Sequence, residues 1–435
     1  MTIALTVCAL TCVALIVMVL VKPSITVKGS TVSIYWLAPL AGAVVLIATG
    51  TVPLSGFLSE ICSESAINPI KILVLFISMT LLSVFLDEVG FFRYMASTVL
   101  EKSKSSQKTL FLSLYLIVSV LTVFTSNDII ILTFTPFICY FARNAGIDPI
   151  PYLFAEFVAA NTWSMALVIG NPTNIYLSTA AGISFLEYTS VMLIPTVLAG
   201  LASFAALYLI FRKKLSATPE AVKEAPPTFD KGLVTIGLAH LGACTLLLIL
   251  SSYLNFEMWL ITLVFAVSLI VSAEIYLRIR HVPQTVIIHS FARAPWELVP
   301  FVLSMFVLVM ALDRCGVTRE LAALLGEIAP VWKYGFASYI SANLVNNIPM
   351  SVLFSSVISN ASEAIRSAAI YATVIGSNVA AFFTPIGALA GIMWSGILKK
   401  HGVRFTFLTY VKYGVVISLC ALIAALAGLN LSINF

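Results

Sequence analysis

Four short polar stretches interrupt the long apolar runs of this 435-residue chain. The first reads Thr125-Ser126-Asn127-Asp128, with Pro136 a little further on. The second is Asn161-Thr162, then Gly170-Asn171-Pro172-Thr173-Asn174. The third holds Asn343, Asn346, Asn347 and Pro349. The fourth is Ser377-Asn378, then Thr384-Pro385-Ile386-Gly387. Asn, Ser and Thr offer the neutral oxygens that hard cations take. Gly and Pro unwind a helix, which frees carbonyls for a cation and amides for an anion. The plainer reading is hydrogen bonding between membrane helices, a common use of these residues. Four such clusters at related positions favour a binding site for a small ion or oxyanion. The candidate substrate- and ion-binding set is drawn from these stretches. Asp128 is the one acidic residue placed deep in them, where an ionisable group costs roughly 2.5–3.5 kcal/mol even on a lenient insertion scale.

Other chemistries find no support. No GxxxxGK[ST] phosphate loop encodes an ATP drive, and no Ser/His/Asp grouping suggests hydrolysis. His240, His281, His289 and His401 lack metal-ligand spacing, so neither a metal nor a cofactor is expected. Asp87, Glu88 and Asp313 fall at span ends, where solvated caps and a proton relay are both open readings. Seven cysteines show no CxxC spacing; Cys62 and Cys315 fall in segments expected outside and could in principle pair.

The elements that must position these residues follow from composition. The chain is 60% hydrophobic and 10% charged, with a mean hydropathy of +1.05. That is an all-α polytopic membrane protein, and its net charge of +5 does not suggest nucleic acid. Residues 1–21 lack a basic leader and a cleavage site, and read as a retained first span. About ten spans are expected: 2–21, 32–52, 70–87, 152–179, 189–211, 232–252, 257–277, 296–312, 366–395 and 405–430. Two re-entrant hairpins are expected at 109–143 and 334–360, because arms broken at a polar tip are marginal for a crossing of roughly 20 residues. Broken backbone at that depth survives only where it lines a cavity in the protein. With both termini outside, 19 of the 24 Lys and Arg fall in inside loops or span ends.

The two halves repeat. Ser78-Met79, Leu86-Asp87 and Gly90 match Ser304-Met305, Leu312-Asp313 and Gly316 at an offset of 226. Asn127-Asp128 matches Asn346-Asn347 at 219, and Asn161 with Ile169-Gly170 matches Asn378 with Ile386-Gly387 at 217. The expected organisation is therefore scaffold spans at 1–52, a first inverted repeat at 53–211, a cytoplasmic linker at 212–231, connecting spans at 232–277 and a second inverted repeat at 278–435. Inverted repeats of this kind place the site at their interface near the midplane.

Several motifs resemble the arsenite/antimonite efflux permeases. They are Leu86-Asp-Glu-Val-Gly-Phe-Phe92, Asn127-Asp128 with Leu132-Thr-Phe-Thr-Pro136, Arg293-Ala-Pro-Trp296, Asn346-Asn-Ile-Pro349, Tyr371-Ala-Thr-Val-Ile-Gly376 and Thr384-Pro-Ile-Gly-Ala-Leu-Ala-Gly-Ile-Met-Trp394. Ile169-Gly-Asn-Pro-Thr-Asn174 looks more like the NhaD-type sodium/proton antiporters and the anion permeases of the same ion-transporter superfamily. Asn161 and Asn378 stand where some arsenite permeases carry an acid. The resemblance implies a secondary transporter of the plasma (inner) membrane, not an enzyme. Its leading activity is arsenite or antimonite efflux driven by protons. A sodium/proton antiporter or a sodium-coupled carboxylate permease is the alternative. It further implies a homodimer with elevator-like motion and a soluble ATPase partner.

Overall fold

The computed structural model describes residues 2–21, 24–27, 30–62, 68–102, 106–216, 229–254, 256–403 and 405–433. Much of the expected linker, 217–228, lies outside the described residues. Among the described residues the chain forms twenty α-helices, two 3-10 turns and one short ribbon. The N-terminal part has α1 (Thr2–Val21), the antiparallel pair β1 (Ser24–Val27) and β2 (Ser30–Ser33), then α2 (Leu37–Ala48). The first half continues with α3 (Leu54–Ile61), α4 (Pro69–Glu88), α5 (Phe91–Lys102), α6 (Gln107–Phe124), α7 (Asn127–Asn144), α8 (Ile150–Trp163), α9 (Pro172–Ala180) and α10 (Phe185–Phe211). Then come α11 (Lys231–Leu254) and α12 (Met258–Ile279). The second half has α13 (Thr285–Arg293), α14 (Leu298–Arg314), α15 (Val317–Leu325), α16 (Pro330–Val345), α17 (Asn347–Ser359), α18 (Glu363–Ala380), α19 (Leu389–Lys400) and α20 (Phe407–Ile433).

The order α3 to α10 recurs as α13 to α20. Each series runs short helix, long helix, short helix, hairpin pair, broken pair, and a closing helix of 27 residues. The closing helices α10 and α20 pack on each other. Second hairpin arms pack across the halves, α7 against α19 and α17 against α9. The sequence offers no cue for the short helices α5 and α15, which follow the turn glycines Gly90 and Gly316, both at positive φ.

Local signals place the ends. Asn68 caps α4 by accepting from the amides of Ile70 and Lys71, with Pro69 in the first turn. Ser106 caps α6 at Thr109, and Ser184 caps α10 at Glu187. Residues 151–162 of α8 and 369–380 of α18 are buried on every side. Such helices are core elements, not surface ones.

Element lengths differ from expectation in places. Among the described residues seven helices are long and apolar enough to cross a membrane, beside the shorter apolar helices at 2–18, 37–48 and 347–359. Span 32–52 is shortened to α2, twelve residues, because residues 30–33 pair as a strand. The long spans 152–179 and 366–395 each divide at their Gly/Pro motifs, as their sequences lead one to expect; arm α6 reaches 18 residues and is long and apolar enough to cross by itself. Cys62 and Cys315 are both free thiols.

Candidate functional site

The hairpin tips and the breaks are joined by hydrogen bonds between uncharged side chains. Asn127 Nδ2 donates to Asn161 Oδ1 at 3.0 Å, tying the first tip to the first broken span. Ser164 Oγ lies 3.0 Å from both Asn161 O and Asn378 Oδ1. Asn171 Nδ2 donates to the same Asn378 oxygen at 2.9 Å, and Asn378 Nδ2 donates to Asn174 Oδ1 at 2.7 Å. Asn174 Nδ2 closes the first break on Ser164 O at 2.8 Å. On the other side, Thr384 Oγ1 donates to Asn343 Oδ1 at 2.6 Å and Asn346 Nδ2 to Ile386 O at 3.0 Å. The first tip, the first break and Asn378 of the second half are thus one network, in which Asn378 joins the halves; the second tip makes its own set with Thr384 and Ile386.

The backbone explains why these residue types stand here. Thr125 is extended between α6 and α7, its hydroxyl returned to Leu121 O. Asn171 caps α9, accepting from the amide and hydroxyl of Thr173 at 3.1 and 3.0 Å. A Cβ on Gly170 would lie 2.3 Å from Ser164 O, and one on Gly387 2.2 Å from Ala380 O. The two breaks therefore close on their own helices by the same device, and only glycine fits. Asn346 sits at φ 76°, ψ 153°, outside the common left-handed well. Strain of that kind costs about 1–3 kcal/mol and collects at functional sites. The first tip has no such residue; Ser126 is at φ −83°.

Five buried polar oxygens in the set make no hydrogen bond to protein: Ser126 Oγ, Asn127 Oδ1, Thr162 Oγ1, Asn347 Oδ1 and Ser377 Oγ. Buried polar atoms are nearly always satisfied, so this cluster calls for a ligand or water. Helices α7 and α17 also start at the tips, which presents their first amides there.

The profile of the citrate-transporter family matches residues 2–375. The chain belongs to that family. Among the family's relatives, the arsenical pump membrane protein of Escherichia coli is 30% identical over 375 residues, covering 83% of this chain and 86% of the relative. That of Yersinia enterocolitica is 27% identical over 378 residues, covering 82% and 86%. The crystal structure of the Alcanivorax borkumensis YdaH transporter shares the fold, with a TM-score of 0.59 and 15% identity over 99% of this chain and 98% of that one. The protein is therefore a multi-pass secondary membrane transporter and not an enzyme.

In this transporter the acidic residues are not where the sequence suggests. Asp87 is not a solvated span end. It is 2% exposed, accepts from Thr133 Oγ1 of α7 at 2.6 Å and pairs with Arg293 at 2.7 Å. Arg293 of α13 also binds Glu88, so a cation from the second half fastens the first half's α4. Asp313, its counterpart, is exposed and accepts from Ser356 at 3.0 Å, as an interfacial cap does. Asp128 is half-buried in the first turn of α7. Its electrostatic neighbour is Glu297 at the start of α14, and both influence the buried Tyr35 hydroxyl. Ser164, Tyr35 and Glu297 escape sequence reasoning, although Ser164 lies between two recognised motifs, and the Arg293 motif gives no sign of its partners Asp87 and Glu88. Glu156 escapes it too: a wholly buried carboxyl inside the expected span 152–179.

Proposed function

We propose that the transporter exports arsenite or antimonite across the plasma (inner) membrane, driven by the proton-motive force. The observation that carries this reading is the uncharged network joining Asn127, Asn161 and Asn378, with a second uncharged set at Asn343 and Asn346. Arsenite at neutral pH is the uncharged trihydroxide, whose O–H groups need acceptors. Unpartnered oxygens at Ser126, Asn127, Thr162, Asn347 and Ser377 supply them. No Lys or Arg is part of the hydrogen-bonded network, which suits a neutral solute better than a polyanion. The arsenical pump relatives point the same way.

A second reading is a sodium/proton antiporter or a sodium-coupled carboxylate permease. Neutral side-chain oxygens are also what a sodium ion takes, and the family profile is that of citrate transporters. Uptake into inside-out vesicles separates the readings. Arsenite, sodium and citrate are each presented with and without a proton gradient. Gradient-dependent arsenite accumulation supports the first reading. Accumulation of citrate with sodium, and none of arsenite, would replace it.

The two series α3 to α10 and α13 to α20 are read as inverted repeats, with α6/α7 and α16/α17 as re-entrant hairpins and both chain termini outside. A homodimer with elevator-like motion, and a soluble ATPase as partner, belong to the same reading. A cysteine replacing Gln284 should then label from the cytoplasm and one replacing Glu327 from outside; the reverse labelling would reject this orientation.

A further inference from the structure

Glu156 is the buried carboxyl that the network above does not use. It stands on α8, five residues before Asn161, with no exposed surface. Thr135 Oγ1 of α7 lies 3.0 and 3.1 Å from its two oxygens, and one hydroxyl can donate to only one of them at a time. The Cys139 thiol, one turn on in α7, is the nearby titratable group. From α19 the Trp394 indole faces the carboxyl, yet its buried N–H completes no hydrogen bond. Four tyrosine hydroxyls on and around α8 are engaged elsewhere. Tyr152 donates to Gln107 of α6, Tyr115 of α6 to Gly200 O of α10, Tyr188 of α10 to Met165 O, and Tyr410 of α20 to Ala381 O. Among the described residues no Lys, Arg or His forms an ion pair with Glu156.

An ionised carboxylate offers about four acceptor positions. One hydroxyl leaves most of them empty, and an unpaired buried charge is far costlier than the neutral acid. The packing seen here accommodates the acid. The ionised form needs another donor, and Trp394 holds one in reserve. Glu156 also lies where three parts of the site meet: the arm below the Asn127 tip, the helix leading into the first break, and the helix leaving the second.

We propose that Glu156 is a proton-binding site of the transport cycle, distinct from Asp128, which loses its proton when α7 shifts against α8 and α19. The step is a plain transfer. The carboxyl O–H bond breaks, its proton passes to water admitted along α7, and the carboxylate left behind accepts from Thr135 and Trp394. The cyclic role rests on the proton-driven transport proposed above.

Two measurements on the purified full-length protein test it. In infrared spectra at neutral pH, the wild type should show the carbonyl band of a protonated carboxylic acid, shifted in heavy water and absent in Glu156→Gln. A Glu156→Gln spectrum identical to the wild type would overturn the proposal. In proteoliposomes, Glu156→Gln should keep arsenite/arsenite exchange but lose gradient-driven accumulation. Wild-type accumulation in that variant would also overturn it. If Glu156→Gln does not fold, Trp394→Phe serves. It removes the reserve donor, so the acid band should persist to higher pH than in the wild type; an unchanged titration of the band counts against the proposal. Absence of arsenite transport in the wild type would reject the substrate, while the band would still decide the proton site.

Discussion

Asn378 of the second half donates to Asn174 of the first at 2.7 Å, while its own oxygen accepts from Asn171 at 2.9 Å. One fully buried side chain therefore holds the two breaks in register. Any movement that separates the halves here must first break these bonds.

Replacing Asn378 with Ala strands the Asn171 amide and the Asn174 carbonyl in the core. Each stranded group costs roughly 1–3 kcal/mol. The variant should unfold at a clearly lower temperature in detergent and should not transport. An unchanged melting temperature would mean that the bond between the breaks is dispensable.

Gly387→Ala places a methyl group within 2.2 Å of backbone at Ala380, where no flexible side chain can give way. Gly396 lies in the same half, and a methyl there meets nothing within 4 Å. Transport should be lost in Gly387→Ala and retained in Gly396→Ala. Equal activity in the two would show that the second break does not need its close approach.

The Asp87–Arg293 pair is shielded on one side only, with side chains 3% and 33% exposed. Removing one partner of a wholly buried pair costs about 3–5 kcal/mol, and the exposed guanidinium reduces that to about 1–3 kcal/mol. Asp87→Asn should therefore destabilise the protein, contrary to what a span-end carboxylate implies. A double-mutant cycle with Arg293→Gln measures the coupling. Additive losses would remove the pair from the stability of the fold.

Asp128→Asn keeps the shape of the first tip and removes its charge. We expect normal folding and insertion with loss of gradient-driven arsenite accumulation. The check compares melting temperature and vesicle uptake in the same preparation. A well-folded variant with wild-type uptake would exclude Asp128 from coupling and leave Glu156 as the carboxyl to pursue.

The sequence by itself determined the membrane class, the polar tips, the Gly/Pro breaks and the repeated series of motifs. Those features are local: apolar runs are read from composition, and a break needs its glycine or proline wherever the chain goes. Asn127, Asn161, Asn346 and Asn378 could be singled out because amides are out of place in such runs. Which amide meets which is a matter of how the halves pack, and only the tertiary structure decided that Asn378 reaches across to Asn171 and Asn174. The acids show the same division. Asp87 and Asp313 occupy matching positions in the sequence, yet one is sealed against Thr133 and Arg293 while the other faces solvent. Glu156 reads as one acid in an apolar run until α7 and α19 close over it, because burial belongs to the neighbours that packing supplies and not to the residue.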